Sequence, residues 1–371
     1  MTFLGRRGGM TERHDVLVIG AGQAGLAAGY HLRRHGLGFA ILDAEPRVGD
    51  VWRRRWDSLR LFTPAAYDAL PGMPFPAPPD AFPTKDEMAD YLQTYARTLE
   101  LPIQLGVPVD RLTRQGDRYV VLAGGDRLEA RHVIVATGGH QTPKTPAVAA
   151  DLDPGIRQLH AAEYRNLGQL AEGDLLVVGA GNSGAEIAME AAAGGHRTTL
   201  AGHSTGHIPG FAYARNGRPF MKLAERLLTI DTRIGRKLAP KITARGGPLI
   251  RIRPREIAAV GVRRVGRVAG AQEGMPRLED GTVLRASTVV WCTGFGHDFS
   301  WIELPILGPD GMPRHRRGVV DQEPGLYVLG LPFLYGFTSA LIAGADRDAA
   351  FVVNEIAVRS RVPSDAGPSS V

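Results

Sequence analysis

The chain carries one short construction twice. DVLVIGAGQAGLAAGY at residues 15–30 and LLVVGAGNSGAEIAME at residues 175–190 each join a run of apolar residues to three glycines and then to a helix-like stretch. A continuous apolar run ending in glycine is the pattern of a parallel strand covered on both faces. In GxGxxG the first glycine permits a tight turn, the second lets a pyrophosphate approach the backbone, and the third lets helix and strand pack closely. The phosphates then meet free amides at the positive end of a helix. Two such units predict an α/β chain of two doubly wound, Rossmann-like dinucleotide-binding domains, the second inserted in the first.

The remainder of the chain fits that plan. A length of 371 residues exceeds one ordinary core, since domains usually run about 100 to 200 residues. The first domain is expected from residues 1–145 and 290–371. The second is expected from 146–289, with the crossover near ATGG at 136–139 and the proline-marked PKTP. GLGFAILDAE predicts a second strand ending at Asp43, and short strands are expected near 118–122 and 132–136. Thr84 and Glu87 form a capping box opening a helix with Met88, Tyr91, Leu92, Tyr95 and Leu99 on one face. RTTLAG, RVGRVAG, STVVWCTG (287–294) and GLYVLGL (325–331) read as strands, and Ser339–Ile356 as the closing helix. Outside the two glycine units the sequence shows no internal repeat.

The two units differ at the end of the strand after the glycine turn and its helix. An acidic residue about 20 positions after the first glycine holds the adenosine ribose, and Asp43 stands there in the first unit. The second unit has no acid at the matching strand end, where Arg197, His203 and Ser204 lie. Without a carboxylate to repel a 2′-phosphate, NADP is favoured over NAD, with His203 as its candidate partner and a plain surface histidine as the alternative. Two dinucleotide sites in one chain imply a resident flavin dinucleotide and a nicotinamide dinucleotide that reduces it. Hence Gly20, Gly22, Gln23, Ala24, Gly25 and Asp43 are assigned to FAD, and Gly179, Gly181, Asn182, Ser183, Gly184 and His203 to NADP. The hard chemistry belongs to the cofactors, so no catalytic triad or metal site is expected.

Composition narrows the setting. No run approaches the roughly 18 to 20 apolar residues that a membrane-spanning helix requires, and MTFLGRRGGMTERHD lacks the apolar core of a signal peptide. Cys292, the single cysteine, excludes an internal disulfide and a dithiol redox pair, and fits a reducing cytoplasm. The net charge of +6 is uneven: residues 211–257 hold twelve Lys and Arg against three acids. FMKLAERLLTI within this segment alternates apolar and basic residues. Its plain reading is a solvated helix covering the nicotinamide domain; the alternative is a peripheral contact with an anionic membrane. A nucleic-acid partner is not expected, and the oligomeric state is left open.

Across nearly its whole length the chain resembles the single-component flavin-containing monooxygenases, closest to the compact bacterial branch often labelled as flavoproteins linked to cation transport. The likeness rests on GAGQAG, RVGDVWRRRWDSLRLFTP (47–64), ATGG, LHAAEYR (159–165), GAGNSGAE, WCTGF (291–295) and LYVLGLP. Of the family fingerprint FxGxxxHxxx(Y/F)(K/R), His160, Tyr164 and Arg165 match, while Pro154 and Ile156 depart. The resemblance implies FAD and NADPH as cofactors, with O2 and a small molecule as substrates. It further implies N-, S- or carbonyl oxygenation through a flavin C4a-(hydro)peroxide. Reduction without substrate oxygenation, as in a flavin reductase or oxidase, is the rival. The family's layout adds Trp52, Arg60, Thr63, Ala136, Thr137, Gly138, Gly330 and Ser339 to the FAD set, and His160 and Tyr164 to the NADP set. An asparagine that lies over the flavin in the animal enzymes falls on Phe62 here. Trp52, Phe62 and Tyr335 are candidate pocket walls, with Trp56, Tyr67, Phe333 and Phe337 beside them.

Overall fold

A computed structural model describes residues 12–139, 141–208, 218–245 and 248–361. The first stretch of chain runs β1 (Glu12–Ile19), α1 (Gln23–Arg34), β2 (Phe39–Asp43), α2 (Asp50–Arg53), α3 (Lys85–Thr98), β3 (Ile103–Leu105), β4 (Val109–Gln115), β5 (Arg118–Ala123) and β6 (Asp126–Val135). The middle contributes β7 (Thr142–Pro143), β8 (Arg157–His160), β9 (Asp174–Val178), α4 (Asn182–Ala193), β10 (Arg197–Ala201), α5 (Arg218–Leu227), α6 (Arg233–Arg245), α7 (Pro254–Ala259), β11 (Arg263–Val265), β12 (Val268–Gln272), β13 (Met275–Leu278) and β14 (Thr288–Trp291). Then come β15 (Phe295–Gly296), β16 (Leu326–Val328) and α8 (Ile342–Arg361).

These strands build two sheets. The first has the order β3-β2-β1-β6-β5-β4, with β16 added to β6. Strand β6 is long enough for two partners on the edge away from β1: Asp126–Ala130 pairs antiparallel with β5, and Val133–Val135 pairs parallel with β16. The second sheet is wholly parallel, in the order β11-β10-β9-β14-β8. It lies in the chain between β6 and β16, so one lobe is inserted in the other.

The apolar runs adopt this form because both faces of each central strand are covered. Val16 and Val18 point into one cluster while Leu17 and Ile19 point into another. In the inserted lobe, Leu175 and Val177 likewise part from Leu176 and Val178. Burying each such side chain contributes roughly 1.5–3 kcal/mol before chain entropy is counted. One cluster runs from Val16 through Trp56 and Tyr164 to Leu175 and Val177. The lobes thus share apolar packing and are held against each other.

Several sequence boundaries move. STVVWCTG yields only Thr288–Trp291, which joins β9 and β8 in the inserted lobe, so the return crossing comes after Trp291 rather than at residue 290. Both crossings meet in an antiparallel ribbon, Phe295 opposite Pro143 and Gly296 opposite Thr142. RVGRVAG breaks at Gly266: Arg263–Val265 edges the second sheet, and Val268–Gln272 turns away into a hairpin with β13. The closing helix begins at Ile342, because Phe337–Ala340 is wound as a tighter 3-10 turn. The capping box at Thr84 forms as its spacing predicts, with Thr84 accepting from the Glu87 amide and Glu87 from the Thr84 amide. Residues 1–11, 209–217 and 246–247, and with them the leader and part of the basic segment, lie outside the described residues.

Candidate functional site

The two glycine turns are built alike. Gly20 has φ +112° and Gly179 φ +115°, backbone that L side chains rarely adopt. A Cβ on Gly25 would lie 1.8 Å from the Gly20 carbonyl oxygen, and one on Gly184 would lie 1.8 Å from that of Gly179. These two glycines let helix and strand touch. A Cβ on Gly22 or Gly181 would meet nothing within 4 Å. The middle glycines therefore border open space at the start of α1 and α4. Neither helix has a side-chain cap or an acid in its first turn, so their amides are free for an anion. The cradles fit the diphosphates of FAD and a nicotinamide dinucleotide.

The likeness extends to the strand beside each turn. A Cβ on Gly20 would strike the Ala136 carbonyl at 2.4 Å; one on Gly179 would strike that of Cys292 at 2.2 Å. Both are followed by a Thr-Gly pair, and Gly138 and Gly294 have φ +73° and +82°. VATGG and WCTGF are thus the same turn in two lobes, a second internal repeat that sequence reasoning missed and that the shared Thr-Gly signals. Cys292 packs against the second cradle, and desolvation pushes its thiol up to about 12, so it is not a nucleophile near neutrality. On the flavin side, Gly330 approaches α1 closely enough that a Cβ would lie 3.4 Å from that of Ala24.

Asp43 ends β2, where its two carboxylate oxygens accept from the amides of Ala21 (2.5 Å) and Glu45 (2.8 Å). Burial raises its pKa, an effect that these two amides oppose. In the second lobe the exposed His203 meets an acid after all: its Nε2 stands 2.8 Å from Glu279 Oε1, brought in from the chain after β13. Glu279 also accepts from the Arg267 amide, and the His203 contact, with that amide, holds its carboxyl below the usual range. No local spacing reveals this pair, because 76 residues separate its members.

Other candidates are engaged by protein. His160 Nε2 lies 3.1 Å from the Gly294 carbonyl and its Nδ1 accepts from the Ala162 amide, an arrangement of the neutral ring; burial lowers its pKa. Tyr164 is fully buried and donates to Glu190 on α4 at 3.0 Å. The Arg165 carbonyl accepts from the Asp57 amide at 2.7 Å. The fingerprint residues thus tie the crossing to α4 and to the loop after α2. The Asn182 side chain bonds the chain ahead of α7, donating to the Pro248 carbonyl (3.2 Å) and accepting from the Ile250 amide (3.3 Å), and Ser183 stands beside it, half-buried. Arg60 donates to the Phe82 carbonyl, and Trp52 packs half-buried against the core.

Between the lobes, Phe62 and Phe337 from the flavin side meet Ile208, Ile250 and Phe220 from the inserted side in a small apolar cluster. Phe62 is therefore packed into this contact between the lobes. Tyr335 is not among its members; guanidinium groups of Arg317 and Arg347 lie 4.3 and 4.6 Å from its ring centre. Ser339 is buried, and its Oγ accepts from the Tyr335 and Gly336 amides at 3.0 Å each, fixing the turn rather than opening a helix. Behind Phe62, Thr63 donates to Asp68 at 2.5 Å. Asp68 is fully buried, its Oδ2 has no hydrogen-bond partner among the described residues, and desolvation raises its pKa to about 7. Sequence reasoning passed over Asp68, since an acid in a long loop looks solvated.

The profile of the pyridine nucleotide-disulphide oxidoreductase family matches residues 17–208, which span the first cradle and most of the second lobe's opening elements. An uncharacterized CzcO-like oxidoreductase of Geobacillus kaustophilus is 39% identical over 92% of this chain and 98% of its own. A Bacillus subtilis relative, the uncharacterized oxidoreductase CzcO, is 33% identical over 92% of this chain and 99% of its own. Among solved structures, the flavin-containing monooxygenase from Stenotrophomonas maltophilia superposes with a TM-score of 0.80 at 31% identity, covering 94% of this chain and all of that one.

Proposed function

Since the chain belongs to the pyridine nucleotide-disulphide oxidoreductases, and within them to the single-component flavin monooxygenases, an FAD- and NAD(P)H-dependent enzyme is given. We propose that it uses NADPH to oxygenate a small molecule at nitrogen, sulfur or a carbonyl. The observation that carries the reading is the matched pair of cradles, alike in φ, in close approach and in open middle glycine.

In this reading the Gly20–Gly25 turn and Asp43 hold FAD, and the Gly179–Gly184 turn holds NADPH. The bound cofactors supply hydride transfer and activation of O2. The chain's own part is to bind, orient and keep water out. Phe62 and Phe337 line the crevice where the two redox rings would meet, and Ala136–Gly138 and Gly330 close around the flavin cradle. His203 would take the 2′-phosphate in place of Glu279; that ion pair is exposed and screened by salt, so it yields readily. The fingerprint pair His160 and Tyr164 acts on NADPH through position, by fixing Gly294 and α4.

A second reading, NADPH oxidation ending in hydrogen peroxide, draws on Phe62, an apolar ring where the animal enzymes carry asparagine. Turnover under labelled dioxygen with amine, sulfide and ketone panels separates the two. Label in an organic product supports the first reading; label confined to peroxide and water overturns it.

A further inference from the structure

Helix α5 is clamped by one face. Met221 and Ala224 are buried, and the Phe220 ring meets Phe337 edge-on at 6.0 Å, within the crevice cluster. In the turn after the helix, the Leu228 carbonyl accepts from the Phe337 amide and the Ile230 amide donates to the Tyr335 carbonyl, both at 2.8 Å. Tyr67 donates to the Arg218 carbonyl at 3.1 Å. These contacts hold α5, expected from the sequence to cover the nicotinamide domain, against the Tyr335–Phe337 turn of the flavin lobe.

Its other face is covered by nothing described. Leu223 and Leu227, one turn apart, are 45% and 39% exposed, and Ile234 at the start of α6 is 52% exposed. These are three of the eight large apolar side chains most exposed among the described residues, gathered within twelve positions. Around them Lys222, Arg226, Arg233, Arg236 and Lys237 are exposed. None of these five cations forms an ion pair among the described residues, whereas Arg218 and Arg251 at either side pair with Asp80 and Glu186. Asp231 is the one exposed acid from 222 to 237; Glu225 is half-buried and senses Arg347.

A solvated helix face carries polar residues at such positions. A nucleic acid would neutralise the cations and leave the leucines in water. An anionic bilayer matches both, with headgroups against Lys and Arg and the apolar side chains entering the acyl boundary. We propose that the outer face of α5 and the start of α6 docks this enzyme on an anionic lipid surface. The apolar contact between the lobes under α5 then lies at the membrane boundary.

The test is co-sedimentation of the flavin-loaded protein with vesicles of phosphatidylcholine alone and of phosphatidylcholine mixed with phosphatidylglycerol. Pelleting is expected only with the anionic vesicles, falling as salt is added. K222E/R226E should weaken it more than about tenfold, each cation near such a surface contributing about fivefold. L223S/L227S should also weaken binding while flavin absorbance and melting temperature stay at parental values. Failure to pellet with anionic vesicles at low salt overturns the proposal. So does undiminished binding by L223S/L227S, or duplex DNA bound in preference to the vesicles.

Discussion

Gly202 stands in the inserted lobe where Asp43 stands in the flavin lobe. The Gly20 amide donates to the Leu42 carbonyl at 2.7 Å and the Gly179 amide to the Ala201 carbonyl at 2.8 Å, so the residue after each acceptor occupies one position. In one lobe it carries a carboxylate; in the other it has no side chain. The acid that comes to this strand end is Glu279, reaching His203 from another part of the chain. Glu279→Gln should therefore lower the KM for NADPH by about fivefold and leave that for NADH within about twofold, through lost repulsion of a 2′-phosphate. Steady-state kinetics with both nucleotides decides it, and equal shifts would remove Glu279 from nucleotide choice.

The open middle glycines separate ligand binding from folding. Gly22→Ala and Gly181→Ala place a methyl group where nothing lies within 4 Å, so melting temperatures should change by no more than about 2 °C. Gly22→Ala should weaken FAD retention, and Gly181→Ala nucleotide binding, each by about tenfold or more, because the methyl occupies the approach to a pyrophosphate. Fluorescence titration with either nucleotide, beside thermal melts, reads both effects. Gly25→Ala and Gly184→Ala should instead fail to fold well, since their Cβ would meet a carbonyl at 1.8 Å.

Asp68 should make stability fall as pH rises. Its folded pKa of about 7 lies above the unfolded value of 3.8, so between those pH values the native state holds a proton that the unfolded chain releases. The stabilising proton is fully present near pH 4 and lost by about pH 7, a change on the order of 4 kcal/mol by linkage. Asp68→Asn keeps an acceptor for Thr63 and carries no charge. It should melt several degrees above the parent at pH 8, with the gain shrinking toward pH 4. A constant offset across that range would contradict the assignment.

Tyr164→Phe tests how the fingerprint works. Removing the hydroxyl leaves the half-buried Glu190 without this donor, a loss of about 0.5–1.5 kcal/mol. The variant should melt lower by a few degrees and keep its KM for NADPH within about twofold. A KM raised tenfold at unchanged stability would make Tyr164 a direct nucleotide ligand.

How much of this was legible depended on distance along the chain. Glycine turns at 20–25 and 179–184, the Asp43 strand end and the Thr84 capping box were readable because each is a contest among neighbouring backbone groups, with φ and hydrogen-bond spacing set within a few residues. The closing helix was misplaced at its start because Ser339 satisfies the Tyr335 and Gly336 amides, a local competition that apolar periodicity does not register. Fold class and both cradles were thus determined by the sequence alone. The tertiary structure decided the pairing of His203 with Glu279, the packing of Cys292 under the second cradle, the burial of Asp68 and the side of α5 that packs on Phe337. Each of these joins groups far apart in the chain, whose meeting is settled by which apolar surfaces pack together and not by any residue type.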